Sequence, residues 1–190
     1  MVVKLSKRKV VGLLGGSFNP PHLGHLHISY QALKFLNLDE VWWILSPKNP
    51  MKQDFSDTYH IRLEACRRLL HNTDIRLCEV EKNHGSHFSA SSIEILKRKY
   101  PRNKFVWMIG ADNMQSFHNW KNWDKIFMSL PIAVFSRPRQ QLKAGLSLAA
   151  QKYCKFRVLP GTLLRIKPPV WTLYVGAQVN LSSTELRIKD

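Results

Sequence analysis

Apolar runs of strand length alternate with stretches of helical periodicity along most of this chain. Residues 9–14 (KVVGLL) form a short apolar run bounded by glycine, which predicts a buried strand. After two prolines, residues 25–36 carry apolar side chains at helical spacing, with Leu26, Tyr30 and Leu33 on one face. A second buried strand is expected over 41–45 (VWWIL), then a loop with two prolines over 46–57, then a helix over 58–70 with Asp57 as N-cap. Residues 75–80 read as a strand and 83–87 (NHGSH) as a turn. A helical pattern covers 91–100 and stops at Pro101, and residues 104–109 (KFVWMI) form a strand that runs into Gly110 and Asp112. A helix over 122–128, a strand over 131–138 that passes into a loop, a helix over 140–153 and a strand over 170–175 follow. The last helix opens near Ser182 and is cut short at Asp190.

This alternation implies right-handed βαβ units, hence an α/β fold on a doubly wound parallel sheet. Ligands of such sheets bind outside the carboxyl ends of the strands, where the strand order reverses. The unusual residues sit at those ends: Gly15-Gly16 after the first strand, 47–52 after the second, Gly110 and Asp112 after the fourth, Arg137 after the fifth.

At 190 residues the chain suits a single domain, with residues 1–8 as a basic N-terminal arm. Its hydrophobic content of 44% allows a substantial core, and nine Phe, six Trp and five Tyr exceed what a small core needs. The charge changes the picture more: 29 Lys and Arg against 13 acidic residues give +16, which favours anionic partners such as nucleotides, nucleic acid or an acidic membrane surface. The densest basic cluster, KLSKRK at 4–9, is too short to make nucleic-acid binding the leading reading. Cys66, Cys78 and Cys154 are odd in number and far apart, which suits a reduced, cytoplasmic protein. The apolar run at 10–14 is too short for a signal peptide, and no stretch approaches the ~20 apolar residues of a membrane helix. Nothing in the pattern fixes an oligomeric state.

Two helix starts carry the candidate chemistry. Gly15-Gly16-Ser17 matches neither G-x-G-x-x-G nor a P-loop, so alone it reads as a turn, with glycine free to take φ > 0. Pro20-Pro21 suits a helix beginning near His22, which sets His22 and His25 on one face of the first turn. A helix N-terminus attracts phosphate, and two imidazoles beside it would donate hydrogen bonds, with the anion favouring their protonated forms. The alternatives are a histidine that caps the helix or packs in the core, and metal binding, for which no third ligand lies at a suitable spacing. The second start is LSSTELR at 181–187, where Ser182 and Glu185 have capping-box spacing and Arg187 sits one turn in with a fork suited to phosphate oxygens. No pair of carboxylates and no Ser–His–Asp order stands near either start. If the nucleophile is itself a phosphate it is already ionised at neutral pH, and catalysis reduces to positioning and charge stabilisation.

GGSFNPPHLGH and SSTELR together resemble the two signatures of the nucleotidyltransferase superfamily, and with WMIGADN and HNWKNW the chain resembles the bacterial nicotinate-nucleotide adenylyltransferases over nearly its whole length. The resemblance implies a Rossmann-like fold. It also implies adenylyl transfer from ATP to nicotinate mononucleotide in NAD biosynthesis, giving deamido-NAD and pyrophosphate by direct attack, with Mg²⁺ assisting. On it, His22, His25 and Arg187 are the catalytic residues. Gly16, Ser17, Phe18, Gly110, Asp112, Ser182 and Ser183 would contact ATP. Trp120 would stack on the pyridine ring, backbone amides near Phe88, Ser89 and Lys121 would read its carboxylate, and Lys52 would steer the mononucleotide phosphate. Without the resemblance, Trp120 reads as core and Asp112 as a helix N-cap. The chain departs from the family pattern at Met51, where a histidine is usual, at Phe88-Ser89 in place of a Tyr-Thr pair, and at Leu181 and Leu186 in place of isoleucines. Another acceptor (nicotinamide mononucleotide or phosphopantetheine) and a basic nucleic-acid-binding role on the same fold are the competing readings.

Overall fold

The computed structural model describes residues 8–47, 59–71, 73–83, 88–136 and 141–175. Six strands, β1 (Val10–Gly16), β2 (Glu40–Leu45), β3 (Ile75–Cys78), β4 (Lys104–Gly110), β5 (Ile132–Ser136) and β6 (Trp171–Val175), form one sheet in the order β3-β2-β1-β4-β5-β6. Every neighbouring pair is parallel. The chain steps outward from β1 to β3, returns to the middle at β4 and steps outward the other way. This is the doubly wound Rossmann order, with its switch point between β1 and β4.

Both faces of the sheet are covered, which is why the strands read as unbroken apolar runs. Period-2 alternation still sorts their side chains. Val11, Leu13, Trp42, Ile44, Phe105, Trp107, Ile109, Ile132 and Val134 join one buried cluster; Leu14, Val41, Trp43, Leu45, Val106, Met108, Ala133 and Phe135 join the other. The first face is covered by α3 (Val80–Asn83), α4 (Ser89–Lys99), α5 (Ala111–Ser116), α6 (Trp123–Ser129), α7 (Gln141–Gly145) and α8 (Leu148–Lys152). The second is covered by α1 (Leu23–Phe35), α2 (Tyr59–Leu69) and the 3-10 turn Pro160–Arg165. Among the described residues no helix is long and apolar enough to cross a membrane.

Four local expectations are corrected. Tyr30 does not share the buried face of α1: it is 48% exposed, while Ser29 and Ala32 are buried and Leu26 and Leu33 pack at the rim of the core. Small side chains let α1 lie close on β1 and β2, which turns the core-facing stripe toward Ser29, Ala32 and Leu36 and leaves Tyr30 about a third of a turn away. The third strand ends at Cys78, and Val80 opens the short helix α3. The region 140–153 is two short helices, α7 and α8, with Ser147 capping the second through Ala150 N–H at 3.2 Å. The helix that the N-cap reading of Asp112 implies is α5, but it opens at Ala111, one residue before Asp112. The expected N-cap Asp57, the loop residue Arg137 and the final helix from Ser182 lie outside the described residues.

Candidate active site at the switch point

The β1–β4 ladder closes at Leu14↔Met108, two residues short of the ends of both strands at Gly16 and Gly110. The strand ends therefore part above the sheet, and the turns that follow them face one crevice. Gly15-Gly16 does not supply the left-handed turn expected of it; both residues simply continue β1. Their missing side chains serve close approach instead. A Cβ on Gly15 would stand 2.9 Å from Cη2 of buried Trp107, and one on Gly16 would stand 3.2 Å from Cε2 of Phe18. The left-handed residue is Phe18, with φ 45°. Its ring is buried, stacks on Trp43 at 4.6 Å and 11°, and lies 4.8 Å from the His25 ring. Trp43 in turn donates from Nε1 to Ser29 Oγ at 2.8 Å, and Ser29 donates to the carbonyl of His25 at 2.9 Å. The first turn of α1 is thus tied to β2 through one buried hydroxyl.

His22 is the N-cap of α1, extended at φ −148° and buried. Its Nδ1 accepts from Gly24 N–H at 3.0 Å, and Nδ1 of His25 accepts from His22 N–H at 3.2 Å, so the two imidazoles form a reciprocal capping box. Their ring centroids are 3.8 Å apart. Capping and ligand recognition, set against each other in the sequence, turn out to be compatible. A ring nitrogen that accepts an N–H carries no proton of its own, so each ring is the neutral tautomer with its proton on Nε2. Two imidazolium rings 3.8 Å apart would repel, and both caps would be lost. The two rings thus sit on a helix start that already favours anions.

Across the crevice, Gly110 is the N-cap of α5 with no side-chain cap bond, and Asp112 is the second residue of the helix, not its cap. The Asp112 carboxylate folds back over Gly110: a Cβ there would stand 2.4 Å from Oδ1. Trp120 follows the 3-10 turn Phe117–Asn119 and packs edge-on against Phe117 at 5.0 Å and Trp107 at 6.5 Å. It is only partly buried, on the rim of the core. Phe88 precedes α4, whose first residue is Ser89, and the Lys121 ammonium sits 4.5 Å above the Phe88 ring. Gly15, Trp107 and Trp120 therefore form one contiguous path from the β1 end, while Phe88, Ser89 and Lys121 form a second, basic corner. Lys52, Ser182, Ser183 and Arg187 lie outside the described residues.

Sequence reasoning missed Arg62. Only 2% exposed, it donates from Nη1 to the carbonyls of Ser17 at 2.5 Å and Ser46 at 2.9 Å, and from Nη2 to Pro47 at 3.0 Å. A signal was present: Arg62 lies four and eight residues before Cys66 and Leu70, on the buried stripe of α2. Cys66 beside it has no exposed surface, and burial pushes its thiol up to about 12, so it stays neutral. Among the described residues no three His, Cys, Asp or Glu side chains gather as a metal site.

Kinship agrees with this geometry. A family model described as cytidylyltransferase-like matches residues 13–189. A protein of Cereibacter sphaeroides named "probable nicotinate-nucleotide adenylyltransferase" is 42% identical over 178 residues, covering 94% of this chain and 96% of its own. One of the same name from Agrobacterium fabrum is 40% identical over 182 residues, covering 94% and 97%. Among solved structures, the Plasmodium falciparum nicotinic acid mononucleotide adenylyltransferase complexed with NaAD superposes with a TM-score of 0.69 at 18% identity, covering 95% of this chain and 83% of that one, which establishes the shared fold. With both strand-end turns, the paired histidines and near full-length kinship in agreement, this chain belongs to the cytidylyltransferase-like family and, within it, to the nicotinate-nucleotide adenylyltransferases.

Proposed function

We propose that the chain transfers the adenylyl group of ATP to nicotinate mononucleotide, giving deamido-NAD and pyrophosphate. A phosphate oxygen of the mononucleotide attacks the α-phosphorus of ATP in line; the bond from that phosphorus to the oxygen bridging to the β-phosphate breaks, and pyrophosphate leaves with the electron pair. The attacking phosphate is ionised at neutral pH and needs no general base, which suits a sequence with no carboxylate pair near either helix start. A divalent cation, Mg²⁺ in this reading, would enter with ATP as substrate and would supply charge screening for the pyrophosphate.

The observation that carries the reading is the reciprocal histidine cap, which opens α1 shortly after β1, past the point where β1 and β4 stop pairing. In this reading its two imidazoles meet the ATP phosphates, where negative charge builds as the bond breaks. Gly16, Ser17 and Phe18 on one side and Gly110 and Asp112 on the other hold the nucleotide, with Ser182, Ser183 and Arg187 completing the phosphate clamp. Trp120 stacks on the pyridine ring, and Lys52 steers the mononucleotide phosphate. The amides near Phe88, Ser89 and Lys121, under a lysine charge, receive the ring carboxylate. Pyrophosphate release measured with each mononucleotide tests this: kcat/KM with nicotinate mononucleotide is expected to exceed that with the amide at least tenfold, about 1.4 kcal/mol. Equal rates would remove the carboxylate-reading role, and no release with any acceptor would remove the activity.

A further inference from the structure

The carbonyls that Arg62 gathers belong to two different turns. Ser17 follows β1, and Ser46 and Pro47 follow β2. Those turns are also joined directly, since Ser46 N–H donates to the Gly16 carbonyl at 3.0 Å, which extends the β1–β2 ladder past Leu45. Arg62 reaches them from α2, the second buried layer, with Tyr59 of the same helix 5.7 Å from its guanidinium. A planar fork with several donors can hold carbonyls from two segments at once; a lysine ammonium is a point donor and cannot span them in the same geometry.

The bond to Ser17 also orients a peptide. The Ser17–Phe18 bond is trans, so its carbonyl and its N–H point in opposite directions, and drawing the oxygen onto Arg62 turns the Phe18 N–H away from the buried cation. Phe18 holds a left-handed φ of 45°, sparsely populated for an aromatic residue, and its ring is locked by stacking on Trp43. A strained, over-determined peptide beside the histidine turn is what pre-organised positioning of a donor requires.

We propose that Arg62 is a positioning residue for the adenylyl transfer: it fixes the turn after β1, which meets ATP in the proposed function, in register with the turn after β2, from which the chain continues in sequence to Lys52. This rests on the proposed function. Each turn remains tied to its own strand without Arg62, so each substrate alone still binds; what is lost is their mutual alignment, on which in-line attack depends steeply.

The test uses Arg62→Lys and, as a second variant, Arg62→Gln, beside wild type. Pyrophosphate release gives kcat, and titration of ATP alone and nicotinate mononucleotide alone gives the two dissociation constants. The expected result is a cooperative melt, each dissociation constant within threefold of wild type, and kcat at least tenfold lower in both variants. A kcat within twofold of wild type in both would overturn the clamp. So would a kcat loss matched by an equal loss of single-substrate affinity, or failure of both variants to melt cooperatively, which would make Arg62 a residue of the fold. Wild type releasing no pyrophosphate would refute the proposed reaction and the clamp with it, whereas wild-type turnover matched by both variants would refute the clamp alone.

Discussion

A histidine at a helix N-cap spends one ring nitrogen on the backbone, and that expenditure decides what the other can do. In His22 and His25 the Nδ1 atoms accept N–H groups, so the Nε2 atoms must donate. This gives a way to separate cap from chemistry. Asparagine is among the best N-caps and keeps an acceptor at the right reach, but it offers no Nε2–H. His22→Asn is expected to hold stability within about 0.5 kcal/mol in a thermal melt while kcat falls by roughly a hundredfold or more, the cost of one donor at a developing oxyanion. Retained turnover would reduce His22 to a cap. The pair was legible in the sequence because proline, histidine spacing and glycine all point to a helix start. The tautomer was not, because it depends on which backbone amide each ring meets.

At the scale of elements, the site is made by where β1 and β4 stop pairing and by what packs beneath that gap. Trp107 lies under Gly15 and packs edge-on against Trp120, so the end of β1 rests on a buried β4 indole that β1 accommodates only by lacking a side chain. Gly15→Ala would force its Cβ against a ring with no exposed surface, and overpacking of this kind costs about 1–3 kcal/mol. Denaturant unfolding should show that loss; an unchanged midpoint would mean the indole can move aside. The strands themselves were readable as apolar runs, since both faces are buried. The role of the glycine pair was not: the sequence points to φ > 0, whereas the structure uses Gly15 for close approach and places the left-handed residue at Phe18. Arg62 was hidden for a related reason. A cation on a helix reads as solvated surface until the carbonyls that surround it are known.

Across the whole molecule, the two ends of the sheet divide the work. The carboxyl ends carry the crevice, and the opposite end carries a charge cluster in which Glu40, at the start of β2, meets Lys9, Arg76 at 2.9 Å and Trp42 Nε1 at 2.8 Å. Burial by itself raises the Glu40 carboxyl, but hydrogen bonds from Lys9 and Trp42 and the Arg76 charge outweigh it and hold the group below its ordinary value of 4.5. A carboxyl depressed in the folded state contributes stability above its unfolded pKa and loses it as pH falls through the folded one. Glu40→Gln should therefore destabilise the protein at pH 7 by about 1–2 kcal/mol, a figure kept small by the exposure of Lys9 and Arg76. The difference from wild type should shrink once the pH drops below the glutamate range, with kcat unaffected at neutral pH. A pH-independent difference would mean the cluster acts through packing.

The sequence by itself determined what local physics can express. Alternating apolar runs and helical stretches make a parallel α/β sheet, two prolines and paired histidines make a helix start, and a surplus of 16 positive charges points to an anionic partner. Only the tertiary structure decided which strand ends part, which nitrogens of His22 and His25 carry protons, and that a buried guanidinium from α2 joins two turns. Those depend on contacts between segments far apart in the chain: 45 residues from Arg62 to Ser17, and β1 against β4 across the whole first half of the fold. Periodicity reports the face a residue presents, and the partner it meets there is set by how the layers pack.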